Sequence, residues 1–137
     1  MKSDKELKKN FKTYLDKNNV IFHVLNKMEL DRDDSVCMSE LEYEGVKKIL
    51  DKNNHKEFSL FVNLLKLAKN VSYMSSGARQ NYKKMIMEKQ LKKIAIVGNN
   101  IFLKVLAGFL SRAAGVSNKV KWFTREDKAF DWFKESK

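Results

Sequence analysis

Along this chain the spacing of apolar residues switches repeatedly between a strand-like and a helix-like period. Phe11 to Leu15 and Val20 to Asn26 are short β-rich runs. Between them, Asp16-Lys17-Asn18-Asn19 is a polar cluster suited to a tight turn, so an antiparallel hairpin is predicted to open the fold. After the acidic stretch Asp31 to Asp34, which reads as a solvated loop, Tyr43, Val46, Ile49 and Leu50 recur at helical spacing. Ser39 is the expected N-cap of that helix, which runs to about Asp51 and is stopped by Asn53-Asn54. Phe58 to Leu65 is nearly continuous in apolar residues, as a strand covered on both faces requires.

The second half keeps one rhythm. Ser75 or Ser76 caps a helix whose stripe is Ala78, Tyr82, Met85 and Ile86, and Lys93 to Gly98 is a buried parallel strand. Asn99 or Asn100 starts the next helix, with Phe102, Val105, Leu106, Phe109, Leu110 and Ala113 on one face and Gly115 as its stop. Lys119 to Phe123 is the last strand. Thr124, with Asp127 three residues on, is a capping-box-like start for a helix bearing Ala129, Phe130, Trp132 and Phe133. The pattern predicts an α/β fold in the order β-β-α-β-α-β-α-β-α: a single-layer, mixed but mostly parallel sheet of about five strands with helices packed on it.

Composition narrows the class without touching the chemistry. A chain of 137 residues is one domain's worth, and 43% hydrophobic with 11% aromatic residues can bury a core, which excludes a mainly disordered protein. Cys37 is the single cysteine, which excludes an intramolecular disulfide framework or a cysteine-based zinc site and fits a reducing, cytoplasmic setting. The absence of proline and the five glycines exclude Pro-rich linkers. The first six residues lack the apolar core of a signal peptide, and Ile101 to Leu110 is about half the ~20 residues of a membrane span. The net charge is +11, all of it after residue 50. We divide the chain into a short charged leader, residues 1–10, and a single domain, residues 11–137.

Candidate chemistry is thin, and no enzyme is expected. His23 and His55 have no second histidine at ligand spacing, so neither a metal nor another cofactor is implied. Cys37 falls just before the expected helix, whose dipole would lower its thiol pKa, but it has no neighbouring base. Asp31, Asp33 and Asp34 lack the glycine and closing Glu of a calcium loop. Gly98 is the one glycine where a dinucleotide fingerprint needs three. Lysines and arginines along 79–93 could meet phosphates. The aromatics, however, sit at core spacing instead of between the bases, which argues against nucleic acid.

The stretch Val71-Ser72-Tyr73-Met74-Ser75-Ser76-Gly77-Ala78-Arg79 is similar to the Asp-Ser-Ser-Gly stretch of STAS domains, typified by anti-sigma factor antagonists. Lys92 to Gly98, Val120 to Phe123 and Lys128 to Phe133 more specifically resemble the SpoIIAA-like branch. The resemblance implies a sheet-and-helix fold related to STAS and CRAL-TRIO domains, and a regulatory or protein-interaction role. In STAS antagonists the second serine of the motif is phosphorylated; the matching position is Ser76, while Met74 stands where the family has Asp. On the residues alone, Ser75 and Ser76 cap a helix and Gly77 eases the turn into it. A phosphate on Ser76 would lie at a helix N-terminus beside Arg79.

Fold rules place a crevice at the carboxyl ends of the central strands, where Asn63, Leu64, Ser75, Ser76, Gly98, Asn99 and Thr124 should converge. The CRAL-TRIO relationship raises a second reading, a small-molecule or lipid carrier, which would require an apolar cavity between the sheet and the Phe102 to Ala113 helix. A third reading is polyanion binding, to nucleic acid or an anionic membrane, through the basic half. Leu103, Ala107 and Leu110 broaden the apolar arc of their helix, a pattern that a homodimer and burial on both sides within one subunit explain equally well.

Overall fold

The Asp16 carboxylate accepts the backbone N–H groups of Asn18 and Val20, both at 2.9 Å, and Asn19 takes the left-handed φ of 62° that closes the turn. In the computed structural model, which describes residues 1–135, this turn joins β1 (Phe11–Leu15) to β2 (Val20–Leu25) as an antiparallel hairpin. Then β3 (Phe58–Asn63), β4 (Leu91–Val97) and β5 (Val120–Phe123) add in parallel, giving one sheet in the order β1-β2-β3-β4-β5. Each parallel join is made through a helix: α2 (Arg32–Lys52), α3 (Ser76–Ile86) and α4 (Ile101–Ala113). The expected mixed, mostly parallel α/β architecture is therefore present.

Alternation along the strands sorts the core into two sides. Ile21, Leu60, Ile94 and Ile96 pack with Val46 and Leu50 of α2 and Met85 of α3. On the opposite face Val20, Phe61, Ala95 and Val97 meet Ala129 and Trp132 of α5 (Glu126–Lys134), where Phe61 and Phe130 stack at 4.8 Å.

Several expected boundaries move, each for a local reason. The acidic stretch is not a loop: Asp31 is the N-cap of α2, accepting Asp34 N at 3.0 Å, and Asp33 and Asp34 occupy the positive end of the helix. Ser39, the expected cap, lies inside α2; its hydroxyl donates to Val36 O at 2.8 Å. Thr124 does not cap α5, because Asp127 is held by Arg125 at 3.0 and 2.7 Å instead of reaching back. Residues 1–10, expected as a charged leader, contain α1 (Asp4–Leu7), closed by a Ser3/Glu6 capping box, and Leu7 is fully buried.

The serine, asparagine and glycine signals of the second half fare better. Ser75 caps α3, accepting Ala78 N at 3.3 Å, and Asn100 caps α4. Gly115, with φ of 73°, ends α4 in a Schellman arrangement: Val116 N donates to Ser111 O at 2.9 Å and Gly115 N to Arg112 O at 3.1 Å.

The rotation of α4 differs from the expected one. Leu103, Leu106 and Leu110 are buried, whereas Ile101, Val105 and Phe109 are 78%, 64% and 57% exposed. Of the expected inner face, Leu106 and Leu110 do point inward while Val105 and Phe109 do not, and Leu103, read as broadening the apolar arc, is buried within the same chain. The helix is apolar around most of its circumference, so periodicity alone could not choose its inner face. No helix among the described residues is long and apolar enough to cross a membrane.

Candidate functional site

Between the sheet and the helices α3 and α4 lies an apolar cavity of about 100 Å³. Leu60, Val62, Ile94 and Ile96 form its floor. Leu103, Leu106, Ala107 and Leu110 of α4 roof it, with Met85 and Ile86 of α3 at the side. Leu64, Leu67 and Met74, from the loop joining β3 to α3, close one end together with Met28.

Part of the lining is polar in composition: His23, Glu42 and Tyr82, on β2, α2 and α3 respectively. His23 Nε2 lies 2.7 Å from Glu42 Oε1, His23 Nδ1 lies 2.8 Å from Thr13 Oγ1, and the Tyr82 hydroxyl donates to Glu42 Oε2. Burial first, and then the Glu42 carboxylate beside it, push the Tyr82 phenol well above its usual pKa, so it stays a donor. Among the described residues no buried side-chain nitrogen or oxygen lacks a partner. These polar atoms therefore engage one another and offer the cavity little but carbon.

A hydroxyl, an imidazole and a carboxylate in series resemble a nucleophile relay. Helix α2 passes close to Thr13, so that a Cβ on Gly45 would lie 3.3 Å from Thr13 Oγ1.

The same α2–α3 contact carries a ladder of polar bonds. Ser35 and Ser75 hydroxyls lie 3.1 Å apart, Asn81 Nδ2 donates to Ser39 Oγ at 2.8 Å, and the Tyr43 hydroxyl donates to Glu88 Oε2.

A family model described as "Domain of unknown function (DUF7793)" matches residues 32–137. The chain belongs to this family. The match takes in the DUF7793 helices that roof and flank the cavity and leaves the β1–β2 hairpin, with Thr13 and His23, outside it. Among solved structures, the chain is similar to an uncharacterised protein of the DUF3478 family from Shewanella loihica PV-4 that has a SpoIIAA-like fold. The identity is 15%, the TM-score 0.55, and the likeness covers 89% of this chain and 90% of that one. It establishes the SpoIIAA-like fold for the DUF7793 chain. None of the curated proteins matches it.

In this DUF7793 domain the Ser75-Ser76-Gly77-Arg79 turn is intact but differently employed. Ser75 is buried as the cap, Ser76 is exposed at the first position of α3, and Arg79 Nε donates back to Met74 O at 2.9 Å. Gly77 has no left-handed φ; it is small because a Cβ there would lie 2.5 Å from Val36 Cγ2.

At the position of the expected crevice the strand ends are closely joined. Leu64 N donates to Val97 O at 2.7 Å and Gly98 N to Phe123 O at 3.0 Å, so the strand ends stay laced together. A Cβ on Gly98 would meet the Trp122 ring at 3.1 Å and Leu64 Cβ at 3.2 Å. Asn63 Oδ1 accepts Leu65 N at 3.0 Å, while Asn99 and Thr124 are exposed. Of these residues only Leu64 reaches the cavity.

Cys37 sits inside α2, and burial together with Glu40 and Asp4 raises its thiol pKa, the reverse of the expected activation. His55 lies in an exposed turn. Among the described residues no cluster of His, Cys, Asp and Glu is arranged to hold a metal ion.

Part of the basic surplus is structural. Lys93 Nζ donates to Trp132 O at 2.7 Å and Glu135 O at 2.9 Å, and Lys119 Nζ to Glu88 O at 3.0 Å and Leu91 O at 2.9 Å. The apolar cavity was legible only as a condition of the carrier reading. The Thr13–His23–Glu42–Tyr82 chain left no sequence signal, because its members come from four separate elements.

Proposed function

We propose that this DUF7793 domain is a non-enzymatic binding module that takes a small apolar molecule into the cavity beneath α4. The observation that carries the reading is a cavity of about 100 Å³ whose only polar neighbours are engaged with each other. A dry apolar cavity of about 150 Å³ accepts benzene or xenon, so this one suits a ligand of that order unless α4 shifts. Water gains nothing there, since it would find few of the two to four polar partners it needs. The closed polar chain and the crowding at Thr13 support a binding role over a catalytic one.

Titration with benzene, followed by methyl NMR, tests the reading. Saturable shifts at Leu60, Ile94, Leu103 and Leu106 are expected, and their absence from an Ala107→Phe variant that fills the cavity. No saturable shift in the wild-type protein would reject it. Native mass spectrometry of freshly purified protein adds a second readout, a stoichiometric apolar adduct.

A second reading, a regulatory protein-interaction role in keeping with STAS-like domains, is favoured by the outer face of α4. Ile101, Val105 and Phe109 follow one another at i, i+4 and i+8 with Arg112 in line, an apolar row on the surface. Under this reading Ser76 is available to a kinase, and Ser76→Asp alters partner binding without unfolding the domain.

A further inference from the structure

Leu64, Leu67 and Met74 wall one end of the cavity, and all three belong to the loop between β3 and α3. At its start this loop is tied to the sheet by Leu64 N, which donates to Val97 O, and at its end by Arg79 Nε, which donates to Met74 O. Between those points the backbone bonds of the loop are internal ones, Leu67 N to Leu64 O and Val71 N to Ala68 O. What joins its middle to the body of the protein by hydrogen bonding is the side chain of Asn100.

Asn100 is 6% exposed and works in two directions. Its Oδ1 accepts Leu103 N at 3.0 Å as the N-cap of α4. Its Nδ2 donates to Val71 O at 2.9 Å and Lys69 O at 3.1 Å, and lies 3.5 Å from Ala68 O. Serine, threonine or aspartate would cap equally well, but only an amide adds two N–H donors to the capping oxygen. The two functions join the first turn of the roof helix to the loop that closes the end of the cavity.

We propose that Asn100 is a latch: its bonds to Lys69 and Val71 hold the 64–75 loop across the end of the cavity, and their breaking opens the route by which an apolar ligand enters and leaves. The inference rests on the binding reading above and adds to it the element that governs exchange. Loss of the two bonds, each of modest net strength, accelerates opening by about tenfold or more.

Asn100→Asp separates latch from cap, because the carboxylate still accepts Leu103 N but brings no donor to the loop and repels its carbonyls. Asn100→Ser, which caps but is too short to reach the loop, is the second variant should the first fail to fold. Amide hydrogen exchange comes first. The latch requires exchange at residues 66–74 to quicken about tenfold while the Leu106 and Leu110 amides of α4 keep their wild-type rates. Unchanged loop exchange in both variants overturns the latch whether or not benzene binds. Benzene on- and off-rates, measured by NMR exchange on the wild-type protein and the variants, come second. The proposal expects both rates to rise together while the dissociation constant changes less; unaltered rates beside a quickened loop overturn its role in ligand passage. Failure of benzene to bind the wild-type protein strikes the binding reading, and with it the gate, and is recognised before any variant is made.

Discussion

His23 Nε2 and Glu42 Oε1 lie 2.7 Å apart, with side chains 2% and 0% exposed. Thr13 and Tyr82 extend the contact at either end, so β1, β2, α2 and α3 are joined through one buried carboxylate and one imidazole.

Removing Glu42 takes away the partner of both His23 Nε2 and the Tyr82 hydroxyl. Glu42→Ala, which leaves two buried polar groups unmet at about 1–3 kcal/mol each, is expected to cost about 2–5 kcal/mol, and Tyr82→Phe, which deprives the carboxylate of one donor, about 1.5–3 kcal/mol. Urea denaturation with an unchanged m-value checks both. A loss under about 1 kcal/mol for Glu42→Ala would mean that the pair contributes no more than a surface contact.

Gly77 is where α3 passes closest to Val36 of α2. A Cβ at 2.5 Å from Val36 Cγ2 forces the helices apart, so Gly77→Ala is expected to destabilise by about 1–3 kcal/mol. Val36→Ala in the same chain makes room and should restore part of that loss. The double-mutant cycle therefore reports coupling of the two sites, whereas strict additivity would place the effect elsewhere.

Tyr43 gives the fold an alkaline limit. Burial, the hydrogen bond to Glu88 and the Glu88 charge push its phenol from 10.0 up to about 12. The unfolded chain ionises first, so the contribution is whole below pH 10 and is lost as pH rises towards 12. Stability measured at pH 9 and pH 11 should fall more steeply for the wild-type protein than for Tyr43→Phe. Equal slopes would remove Tyr43 from the explanation.

The rotation of α4 can be tested by stability alone. Phe109→Ser and Val105→Ser, on the exposed row, are expected to stay within about 0.5 kcal/mol of the wild type. Leu106→Ala, facing the cavity, is expected to lose about 2–5 kcal/mol, less where the existing void lets neighbours relax. Thermal or urea unfolding of the three variants distinguishes this rotation from one that buries Phe109.

What the sequence by itself determined was whatever rests on local period and local capping. The Ile94 to Val97 run could only be a covered strand, the hairpin turn at Asp16 to Asn19 carried its own hydrogen-bonding chemistry, and Ser75, Asn100 and Gly115 marked helix ends through their own side chains or backbone freedom. The alternation of these elements was enough for a mixed, mostly parallel sheet. Tertiary structure decided the rest, because those features depend on residues far apart in the chain. The start of α2 at Asp31 is itself local, an Asp31 carboxylate accepting Asp34 N, but the use of Ser39 inside the helix is tertiary, since Asn81 of α3 donates to its hydroxyl. The inner face of α4 was chosen by the sheet and by the Asn100 bonds to residues 69 and 71, since a helix apolar around most of its circumference leaves the choice of side open. The cavity exists only where the sheet meets its covering helices, and the Thr13–His23–Glu42–Tyr82 chain only where β1, β2, α2 and α3 come together. Burial is what gives that cluster its chemistry, and no stretch of sequence contains it.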